Sequence, residues 1–311
     1  MDRLSSMATF VKAVDHGSFS AAAEASGLSS TMVGKHVQYL ETRLGVRLLN
    51  RTTRRQSLTE FGRAYYDRCR TILEEVEAAD ALASDHLHTP HGTLRVTMPA
   101  LLGRVCVAPL LIALADRHPT LRLAMSMDDR IMDMAAEGFD LSVRTGRPGN
   151  RTGLKARLLG SHRMVVCASP HLLDTTGTPQ TLSDLTAHHA VMYTRPGWSH
   201  AWLFRDEDGR TVEISPPSRL RLDDLAAVAD AALSGAGLAW IPWWLARPHL
   251  GTGALIEVLG GRHAFVFENH AVWPETKYLP LRVRLAIDML AAELPARLAP
   301  QSAAGAESGI G

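Results

Sequence analysis

The sequence is poor in several features that mark particular classes of protein. It holds only three cysteines, Cys69, Cys106 and Cys167, whose wide spacing excludes a disulfide framework and favours a reducing compartment. No stretch approaches the roughly 18 uncharged apolar residues of a membrane-spanning helix, and no basic segment followed by an apolar run begins the chain. Over 311 residues the net charge is only +1, so composition alone indicates no charged partner. These absences predict a soluble, cytoplasmic protein.

Motifs of common catalytic and cofactor sites are also lacking. The sequence has no Gly-x-Ser-x-Gly, no Gly-Lys-Ser/Thr loop and no His-Glu-x-x-His. The segment 235–237 (Gly-Ala-Gly) is half a dinucleotide-binding fingerprint and better fits a tight turn before a buried strand. His86, His88 and His91 can bind a metal ion, but they have no Cys or carboxylate partners at fixed spacing, so a hydrated hinge explains them better. We expect no enzyme activity, no cofactor and no metal site.

Residues 18–55 are the most informative part of what the sequence does contain. Ser18 or Ser20 can cap a short helix rich in alanine, and Gly27 supplies the left-handed residue that ends it. Ser29 can then cap a second helix, whose apolar residues recur at helical spacing. This pattern predicts a helix-turn-helix, in which the second helix is built to enter the major groove of DNA.

Charge is distributed unevenly along this part of the chain. Between Lys35 and Arg70 there are nine Lys or Arg against three Asp or Glu, a net charge of +6. The following segment, 71–88, has five acidic residues and no Lys or Arg. A local positive field attracts phosphate groups. A solvated helical face would explain the charges alone, but it is the weaker explanation beside a helix-turn-helix.

Neighbouring segments extend this unit into a winged domain. Residues 3–15 carry apolar side chains on one helical face and are expected to pack behind the helix-turn-helix. The segments 46–49 and 56–58 are predicted to be the two strands of a small wing. Thr59, followed by an acidic residue, marks the start of the next helix.

A long helix is expected over residues 59–85. Its apolar residues recur at steps of four and three, namely Phe61, Tyr65, Cys69, Ile72, Val76, Ala79 and Ala83. This spacing is typical of a coiled coil, so we expect the helix to pair with its copy in another subunit. The alternative, a helix lying on its own domain, is left open by periodicity.

From Thr93 onward, strands and helices alternate. The predicted strands are 94–98, 121–127, 139–144, 163–168, 190–193, 238–241 and 264–272. The predicted helices are 101–117, 131–137, one beginning at Ser169-Pro170, 223–233 and 281–294. Such alternation is typical of α/β units on largely parallel sheets. Residues 296–311 are rich in Ala, Gly and Ser without an apolar period, which predicts a disordered tail.

Several of these segments carry a family resemblance. They are Phe19–Ala23, the helix from Ser29, Leu40–Arg54, Leu58–Gly62, Gly92–Val96 and Gly235–Pro242. In order, spacing and residue type the N-terminal segments resemble LysR-type transcriptional regulators, and the C-terminal part agrees in topology. Gly34 departs from the pattern, because many relatives have a serine there that can touch DNA. The glycine costs roughly 1 kcal/mol of helix propensity relative to Ala.

The resemblance implies an N-terminal all-α winged helix-turn-helix, a long linker helix, and an α/β periplasmic-binding-protein-like sensor of two subdomains. The implied ranges are 1–58 for the DNA-binding domain, 59–89 for the linker and dimerisation helix, and 90–295 for the effector-binding domain. Within the last, subdomain I takes 92–161 plus 266–295 and subdomain II takes 162–265, joined by two crossover strands. The implied partners are double-stranded promoter DNA, a small-molecule effector in the cleft, and other copies of the chain. Dimers formed through residues 59–85 would assemble into a tetramer.

Candidate DNA contacts lie on the recognition helix and in the wing. Those on the helix are Ser29, Ser30, Thr31, Lys35 and His36. Those in the wing are Arg51, Thr52, Thr53, Arg54 and Arg55. A lysine can donate to guanine acceptors or to phosphate, hydroxyl groups suit either, and a wing arginine can enter a narrow minor groove. Ser29 can serve as a helix cap alone or as both cap and contact.

Candidate effector contacts lie where predicted strands end, because ligands of α/β folds bind at the carboxyl ends of strands. They are Thr97, Met98, Pro99, Ala100, Leu101, Arg144, Thr145, Gly146, Tyr193, Thr194 and Asp223. Arg144 can bind a carboxylate bidentately, or it can form a structural ion pair with Asp140. Trp240, Trp243 and Trp244 can line a pocket wall or belong to the core. We expect an organic acid as effector, an aromatic acid being one option.

Two other functional classes compete with this interpretation. A redox-sensing regulator would use Cys106 and Cys167, although their apolar neighbours indicate inert core thiols. A protein that binds only other proteins is the second, and the +6 segment argues against it. The sequence does not reveal the effector, the target genes, or whether transcription is activated or repressed.

Overall fold

The computed structural model of the protein describes residues 2–51, 56–87, 89–130, 134–149, 152–195, 201–261 and 263–299. Within this part of the chain there are two compact units. The described residues of 2–92, with the short segments 134–138 and 276–284, form the first unit. The described residues of 93–130, 139–275 and 285–299 form the second.

Capped helices build the first unit. They are α1 (Arg3–Asp15), α2 (Phe19–Ser26) and α3 (Ser30–Leu44). Asp2, Ser18 and Ser29 precede them, and each side chain accepts a hydrogen bond from a backbone N–H of the first turn. Gly27 (φ 66°) and Gly45 (φ 72°) end α2 and α3 in the left-handed conformation. The predicted helix-turn-helix, with its caps at Ser18 and Ser29, is confirmed.

One apolar core holds these helices together. Its buried members are Met7, Phe10, Val37, Leu40, Leu48, Leu49, Tyr66 and Cys69. Phe10 and Leu40 are completely inaccessible to solvent, and burial of each such side chain contributes about 1.5–3 kcal/mol. Because α1 contributes Met7 and Phe10, the prediction that the first helix packs behind the helix-turn-helix is confirmed.

The wing and the linker helix follow α3. Strands β1 (Leu49–Arg51) and β2 (Gln56–Leu58) pair antiparallel, and helix α4 runs over Glu60–Leu87. The predicted first wing strand at 46–49 was wrong, because the Glu41 carboxylate accepts the N–H groups of Leu48 (2.9 Å) and Leu49 (3.3 Å). The Thr59 hydroxyl accepts the N–H of Gly62 at 2.8 Å, which confirms the predicted helix start.

From Gly92 onward, strands alternate with helices. The strands are β3 (Gly92–Met98), β4 (Leu121–Met127), β5 (Leu141–Thr145), β6 (Leu154–Ala168), β7 (Ala190–Tyr193), β8 (Trp202–Arg205), β9 (Thr211–Ile214), β10 (Ser218–Leu222), β11 (Leu238–Pro242), β12 (Ile256–Val258) and β13 (Val266–Pro274). The helices are α5 (Ala100–Leu102), α6 (Ala108–Arg117), α7 (Met134–Glu137), α8 (Pro170–Thr176), α9 (Leu225–Leu233), α10 (Trp243–Gly251) and α11 (Leu281–Leu298). A π-helical turn, Gly103–Val107, joins α5 to α6, and 3₁₀ turns cover Ser183–Ala187 and Leu259–Gly261.

Nine strands of the second unit form one hydrogen-bonded sheet. Its order is β10-β7-β11-β6-β13-β5-β3-β4, with β12 also paired to β6. The pairs β3–β5, β7–β10 and β7–β11 are parallel, whereas β6 and β13 pair antiparallel with all their described neighbours. The sheet is therefore mixed, which corrects the expectation of largely parallel sheets. Strands β8 and β9 form a separate hairpin.

Strand β6 crosses from one half of this sheet to the other. It pairs with β13 from Leu154 to Arg163 and with β11 from Met164 to Cys167. The change of partner lies next to the predicted subdomain boundary at 161/162. On the β11 side, apolar clusters cover both faces: Met164 and Val166 belong to one, Val165 and Cys167 to the other. We call β6 and its antiparallel partner β13 the crossover strands; that they join two subdomains stays a prediction.

Several element bounds differ from the sequence prediction. Strand β6 begins nine residues earlier than predicted, β5 and β13 are shifted by about two residues, and α9 begins two residues later. Helix α7 begins at Met134, and residues 131–133 of the predicted helix lie outside the described residues. Helix α11 extends to Leu298, three residues into the predicted tail; residues 300–311 lie outside the described part. Five elements were not predicted: β8, β9, β10, α10 and β12.

No helix in the described part of the chain is long and apolar enough to cross a membrane. Among the described residues, no group of three or more His, Cys, Asp or Glu side chains is placed to hold a metal ion. Of the hinge histidines, His88 lies outside those residues, as does the side chain of His86.

Candidate nucleic-acid interface and effector cleft

Helix α3 has one buried and one exposed side. Val33, Val37 and Leu40 are inaccessible to solvent, whereas the side of Thr31 and Lys35 is exposed. The predicted contacts Ser29 and Ser30, at the start of the helix, are exposed as well. The Ser29 hydroxyl accepts the N–H of Met32 at 3.2 Å, so it caps the helix and is still accessible.

His36 is a correction to the predicted DNA surface. Its side chain is buried, and Nδ1 lies 3.0 Å from the Ser6 hydroxyl of α1, with which it shares a hydrogen bond. The imidazole therefore contributes to packing between α1 and α3 and does not reach the exposed side.

Gln38 is an exposed residue that the sequence-based list omitted. It lies seven positions after Thr31 and three after Lys35, so it extends the same side of α3 by one turn. Helical spacing alone was the signal that could have identified it. Gly34 lies between these side chains, and a Cβ added there would make ordinary contact with the Phe19 ring at 3.7 Å.

The wing is described only in part. Arg51 ends β1, but its side chain lies outside the described residues, as do Thr52, Thr53, Arg54 and Arg55. Asn50 is exposed on β1, and its amide donates to Ser57 and to the carbonyl of Leu58, both at 3.4 Å. These bonds hold the base of the wing together.

The apolar seam of α4 divides into two parts. Cys69 is buried and Tyr65 half-buried, and both pack in the core of their own unit. Phe61, Ile72 and Val76 are instead exposed large apolar residues. The seam therefore packs into its own unit at Tyr65 and Cys69, with the Phe61 ring stacked on Tyr65 at 6.2 Å, and presents exposed apolar side chains at Ile72 and Val76.

In the second unit, the ends of β3, β4 and β5 meet around Arg144. Its guanidinium donates to the Thr97 hydroxyl (3.1 Å) and to the Asp128 carbonyl (3.2 Å). The Asp140 carboxylate, proposed as an ion-pair partner, accepts the N–H of Arg95 at 2.8 Å. The structure thus brings together two predicted effector contacts, Thr97 and Arg144, with a loop that the prediction missed.

Residues 98–101 differ in their exposure. Met98 is completely buried and packs against Gly103, and Leu101 is also buried, so including these two side chains was wrong. Pro99 and Ala100 are half-buried, and the Ala100 N–H acts to lower the pKa of Asp129.

The other half of the sheet contributes the ends of β7 and β10. Tyr193 and Thr194 are half-buried, and the Thr194 N–H donates to the Leu222 carbonyl at 2.8 Å. Burial raises the pKa of Tyr193, and the negative charge of Asp129 acts in the same direction. Asp223 is exposed but does not cap α9.

The cap of α9 is its neighbour Asp224, whose carboxylate accepts the N–H groups of Ala226 and Ala227.

Arg195, directly after Thr194, reaches the loop that follows β4. Its Nη1 donates to the Asp129 carbonyl at 2.9 Å and lies 3.5 Å from the Asp129 carboxylate. Burial raises the pKa of Asp129, although Arg195 and the Ala100 N–H act in the opposite direction. This contact, between segments 66 residues apart, has no signature in the sequence.

A buried chain of hydrogen bonds runs from Thr145 to the crossover strands. The Thr145 hydroxyl donates to Asn269 Oδ1, and Asn269 Nδ2 bonds His162 Nδ1, both at 2.8 Å. The Trp244 ring stands edge-on to the His162 ring at 6.2 Å. Gly146, next to Thr145, accepts a hydrogen bond from His270 Nδ1 at 3.1 Å.

The three tryptophans were expected either in a pocket wall or in the core. Trp240 and Trp244 are buried, and Trp240 belongs to the same apolar cluster as Met164 and Val166. Trp243 is half-buried, with the Arg247 guanidinium over its ring at 5.5 Å. Trp240 is therefore a core residue.

Comparison with known proteins decides the family. The model "Bacterial regulatory helix-turn-helix protein, lysR family" matches residues 4–63, and the model "LysR substrate binding domain" matches residues 88–295. The chain belongs to the LysR family of transcriptional regulators. The regulator thus combines a helix-turn-helix DNA-binding domain with an effector-binding domain.

Individual relatives agree over nearly their whole length. The HTH-type transcriptional regulator YhjC of Escherichia coli is 35% identical over 292 residues, covering 94% of this chain and 97% of the relative. The HTH-type transcriptional regulator CrgA of Neisseria meningitidis is 35% identical over 295 residues, covering 93% and 96%. The structure of CrgA matches with a TM-score of 0.60 and 32% identity, and full-length AphB of Vibrio cholerae with 0.58 and 26%. Each match covers 93% of the regulator and 98% of the solved chain.

The redox alternative finds no support. Cys69, Cys106 and Cys167 are buried free thiols. Burial raises the pKa of Cys69 and Cys106 to about 11 and that of Cys167 to about 12. A thiol needs a lowered pKa and access to solvent to react readily with peroxide, and these three have neither.

Proposed function

We propose that the regulator reads its operator with the exposed side of α3. The proposed contacts are Ser29, Ser30, Thr31, Lys35 and Gln38 on the helix, with Arg51, Thr52, Thr53, Arg54 and Arg55 in the wing. The observation that carries this proposal is the division of α3 into a buried apolar side and an exposed polar one. Lys35 can donate to guanine or phosphate, and Gln38 can bond adenine bidentately.

We further propose that the effector is an organic acid that binds where the strand ends of the two subdomains meet. Arg144 and Arg195 supply guanidinium groups there, and guanidinium is suited to bidentate recognition of a carboxylate. The further proposed contacts are Thr97, which accepts from Arg144, and Ala100, Thr145, Tyr193 and Thr194. Pro99, Gly146 and Asp223 are kept as proposed contacts at the rim.

The proposed assembly is a dimer through residues 59–85, and a tetramer made of two dimers. Exposed Phe61, Ile72 and Val76 support the dimer, because an unpaired apolar helix face favours association with a second copy. A regulator of promoters acts where the chromosome lies, so we propose a cytoplasmic location and a regulatory role without catalysis.

A DNase footprint on the DNA upstream of the regulator's own gene tests DNA reading. Wild type, Lys35→Ala and Lys277→Ala are compared, the last removing the same charge from an exposed position outside the helix-turn-helix. We expect Lys35→Ala to need about tenfold more protein for protection, a loss of ~1.4 kcal/mol, and Lys277→Ala to match wild type. Equal protection by wild type and Lys35→Ala would remove Lys35 from the interface.

The same footprint, repeated with a series of organic acids, tests the effector proposal. We expect one or more acids to shorten or relax the protected region of wild type, and the matching amides, which lack the negative charge, to leave it unchanged. A footprint that no acid alters would argue against a carboxylate effector.

A further inference from the structure

The loop that follows β4 occupies both cleft arginines. Arg144 donates to the Asp128 carbonyl at 3.2 Å, and Arg195 donates to the Asp129 carbonyl at 2.9 Å. The N–H of Asp128 is itself fixed by the Met98 carbonyl at 2.9 Å. Two consecutive residues of the chain thus satisfy the guanidinium groups that an anionic ligand would need.

The side chains of the two aspartates have different surroundings. The Asp128 carboxylate turns to Arg130, which donates to it from Nε, Nη2 and the backbone N–H. The Asp129 carboxylate lies 3.5 Å from Arg195 Nη1, and the Ala100 N–H is near enough to act against the rise in its pKa. Asp129 thus places a carboxylate against one guanidinium and one backbone donor, the arrangement that a ligand carboxylate would adopt.

Partial burial limits how firmly the charged Asp129 carboxylate is held beside Arg195. Both side chains are partly buried, with 23% of Arg195 and 33% of Asp129 exposed. Burial raises the pKa of Asp129, so the protein holds the carboxylate in surroundings that favour its charged form less than water does. A second carboxylate with equal access to the donors can therefore compete.

We propose that the Asp129 carboxylate is a built-in competitor of the effector, which holds Arg195 and the Ala100 N–H until a ligand carboxylate takes its place. The inference rests on the proposed function, because it assigns a role to one residue of the same cleft. Asp129 follows β4 in subdomain I, and Arg195 follows β7 in subdomain II. Exchange of one carboxylate for another therefore replaces the side-chain part of this link by a bond through the ligand, while the bond from Arg195 to the Asp129 carbonyl can remain.

Chemical rescue by acetate tests this role in the full-length regulator. Asp129→Ala removes the carboxylate next to the two donors, and acetate supplies a carboxylate small enough to take its place. Thermal unfolding is followed in sodium acetate and in sodium chloride of equal ionic strength. We expect acetate to raise the Tm of Asp129→Ala along a curve that saturates. The apparent affinity for acetate should be about tenfold higher for Asp129→Ala than for wild type.

Three controls make the outcome specific. Asp128→Ala removes the neighbouring carboxylate, which pairs with Arg130, and should show no rescue. Acetamide, neutral and of the same size, should not replace acetate. Adding Arg195→Ala to Asp129→Ala should abolish the effect, and Asp129→Gly, which leaves the same space open, is the second variant if Asp129→Ala folds poorly.

The outcomes separate this inference from the proposal of an acid effector. No preferential response of Asp129→Ala and Asp129→Gly to acetate would overturn the inference, even if larger acids still alter the footprint of wild type. Rescue that depends on Arg195 would support it, even if no tested acid alters that footprint.

Discussion

A single buried imidazole connects the proposed effector cleft with the crossover strands. His162 is 4% exposed, and burial lowers its pKa to about 4. Because the Asn269 amide N–H₂ can only donate, Nδ1 of His162 accepts and the proton of the neutral ring resides on Nε2. The Thr145 hydroxyl fixes the orientation of that amide by donating to its oxygen.

The stability of the second unit should depend on pH through this residue. In the unfolded chain the pKa of a histidine is near 6.5, whereas in the fold that of His162 is about 4, so protons bind the unfolded state first. The contribution of His162 to the free energy of unfolding is fully present above about pH 6.5. It is lost as the pH falls toward 4, and the loss from this group is about 3 kcal/mol. Urea unfolding across this range measures the loss.

Two histidine variants isolate the contribution. His162→Gln can still accept from Asn269 and does not titrate, so we expect most of the pH dependence attributed to His162 to disappear. His171→Gln replaces an exposed histidine on α8 and should leave the dependence as in wild type. An unchanged slope in His162→Gln would contradict the assignment.

At the scale of elements, the first turn of α4 is fixed by a glycine. A Cβ on Gly62 would lie 2.0 Å from the Leu48 carbonyl oxygen, which is backbone and cannot rotate away. Leu48 also accepts the N–H of Thr59 at 3.0 Å, so the start of α4 and the entry to the wing are in direct contact. Only glycine permits this approach.

Alanine at two helical glycines of the first unit should have opposite effects. Gly62→Ala is expected to destabilise by about 1–3 kcal/mol, because backbone must move to relieve the overlap. Gly34→Ala is expected to stabilise by about 0.5–1 kcal/mol, since the added methyl meets the Phe19 ring at an ordinary 3.7 Å and the helix gains propensity. Urea unfolding of both variants tests the pair. A neutral Gly62→Ala would show that the contact is not rigid.

The elements that the sequence predicted well are those with local signals. Helices α1 and α3 have caps and periodic apolar residues: α1 covers the predicted range 3–15, and α3 begins directly after its predicted cap Ser29. Strand β6 was predicted only in its apolar second half, because Lys155 and Arg157 in the first half form surface ion pairs with distant acidic residues. The hairpin β8–β9 was missed because its tight turn at Asp206–Gly209 interrupts two short strands.

At the scale of the whole molecule, the exposed part of the α4 seam predicts how the subunits associate. Ile72→Asp places a charge among exposed apolar residues that we propose to be buried between subunits, and we expect the sedimentation coefficient to fall toward that of a monomer. Thr71→Asp adds the same charge at an exposed position one residue away, on another side of the helix, and should leave the assembly intact. If both variants keep the sedimentation coefficient of wild type, the interface between subunits lies elsewhere.

The cleft was predictable in part for a reason of topology. Thr97, Arg144 and Tyr193 follow from the rule that strand ends of α/β folds hold ligands. Asp129, Arg195, His162 and Asn269 do not, because their contacts join segments more than 60 residues apart. The burial of Met98 and Leu101 was missed because a strand end does not reveal which side chains turn inward.

Strands β6 and β13 lie side by side from Leu154 opposite Pro274 to Arg163 opposite Val266, and both enter each half of the second unit. Sliding one strand along the other would break the whole ladder between them, whereas twisting the ribbon keeps its hydrogen bonds. Gly160, with φ 142°, lies where the pairing register shifts. Twisting of this ribbon is therefore the relative movement of the two halves that breaks the fewest hydrogen bonds. Effectors of different shape would then differ in the angle through which they rotate the subdomains. An inducer and an antagonist would stabilise two different values of that angle.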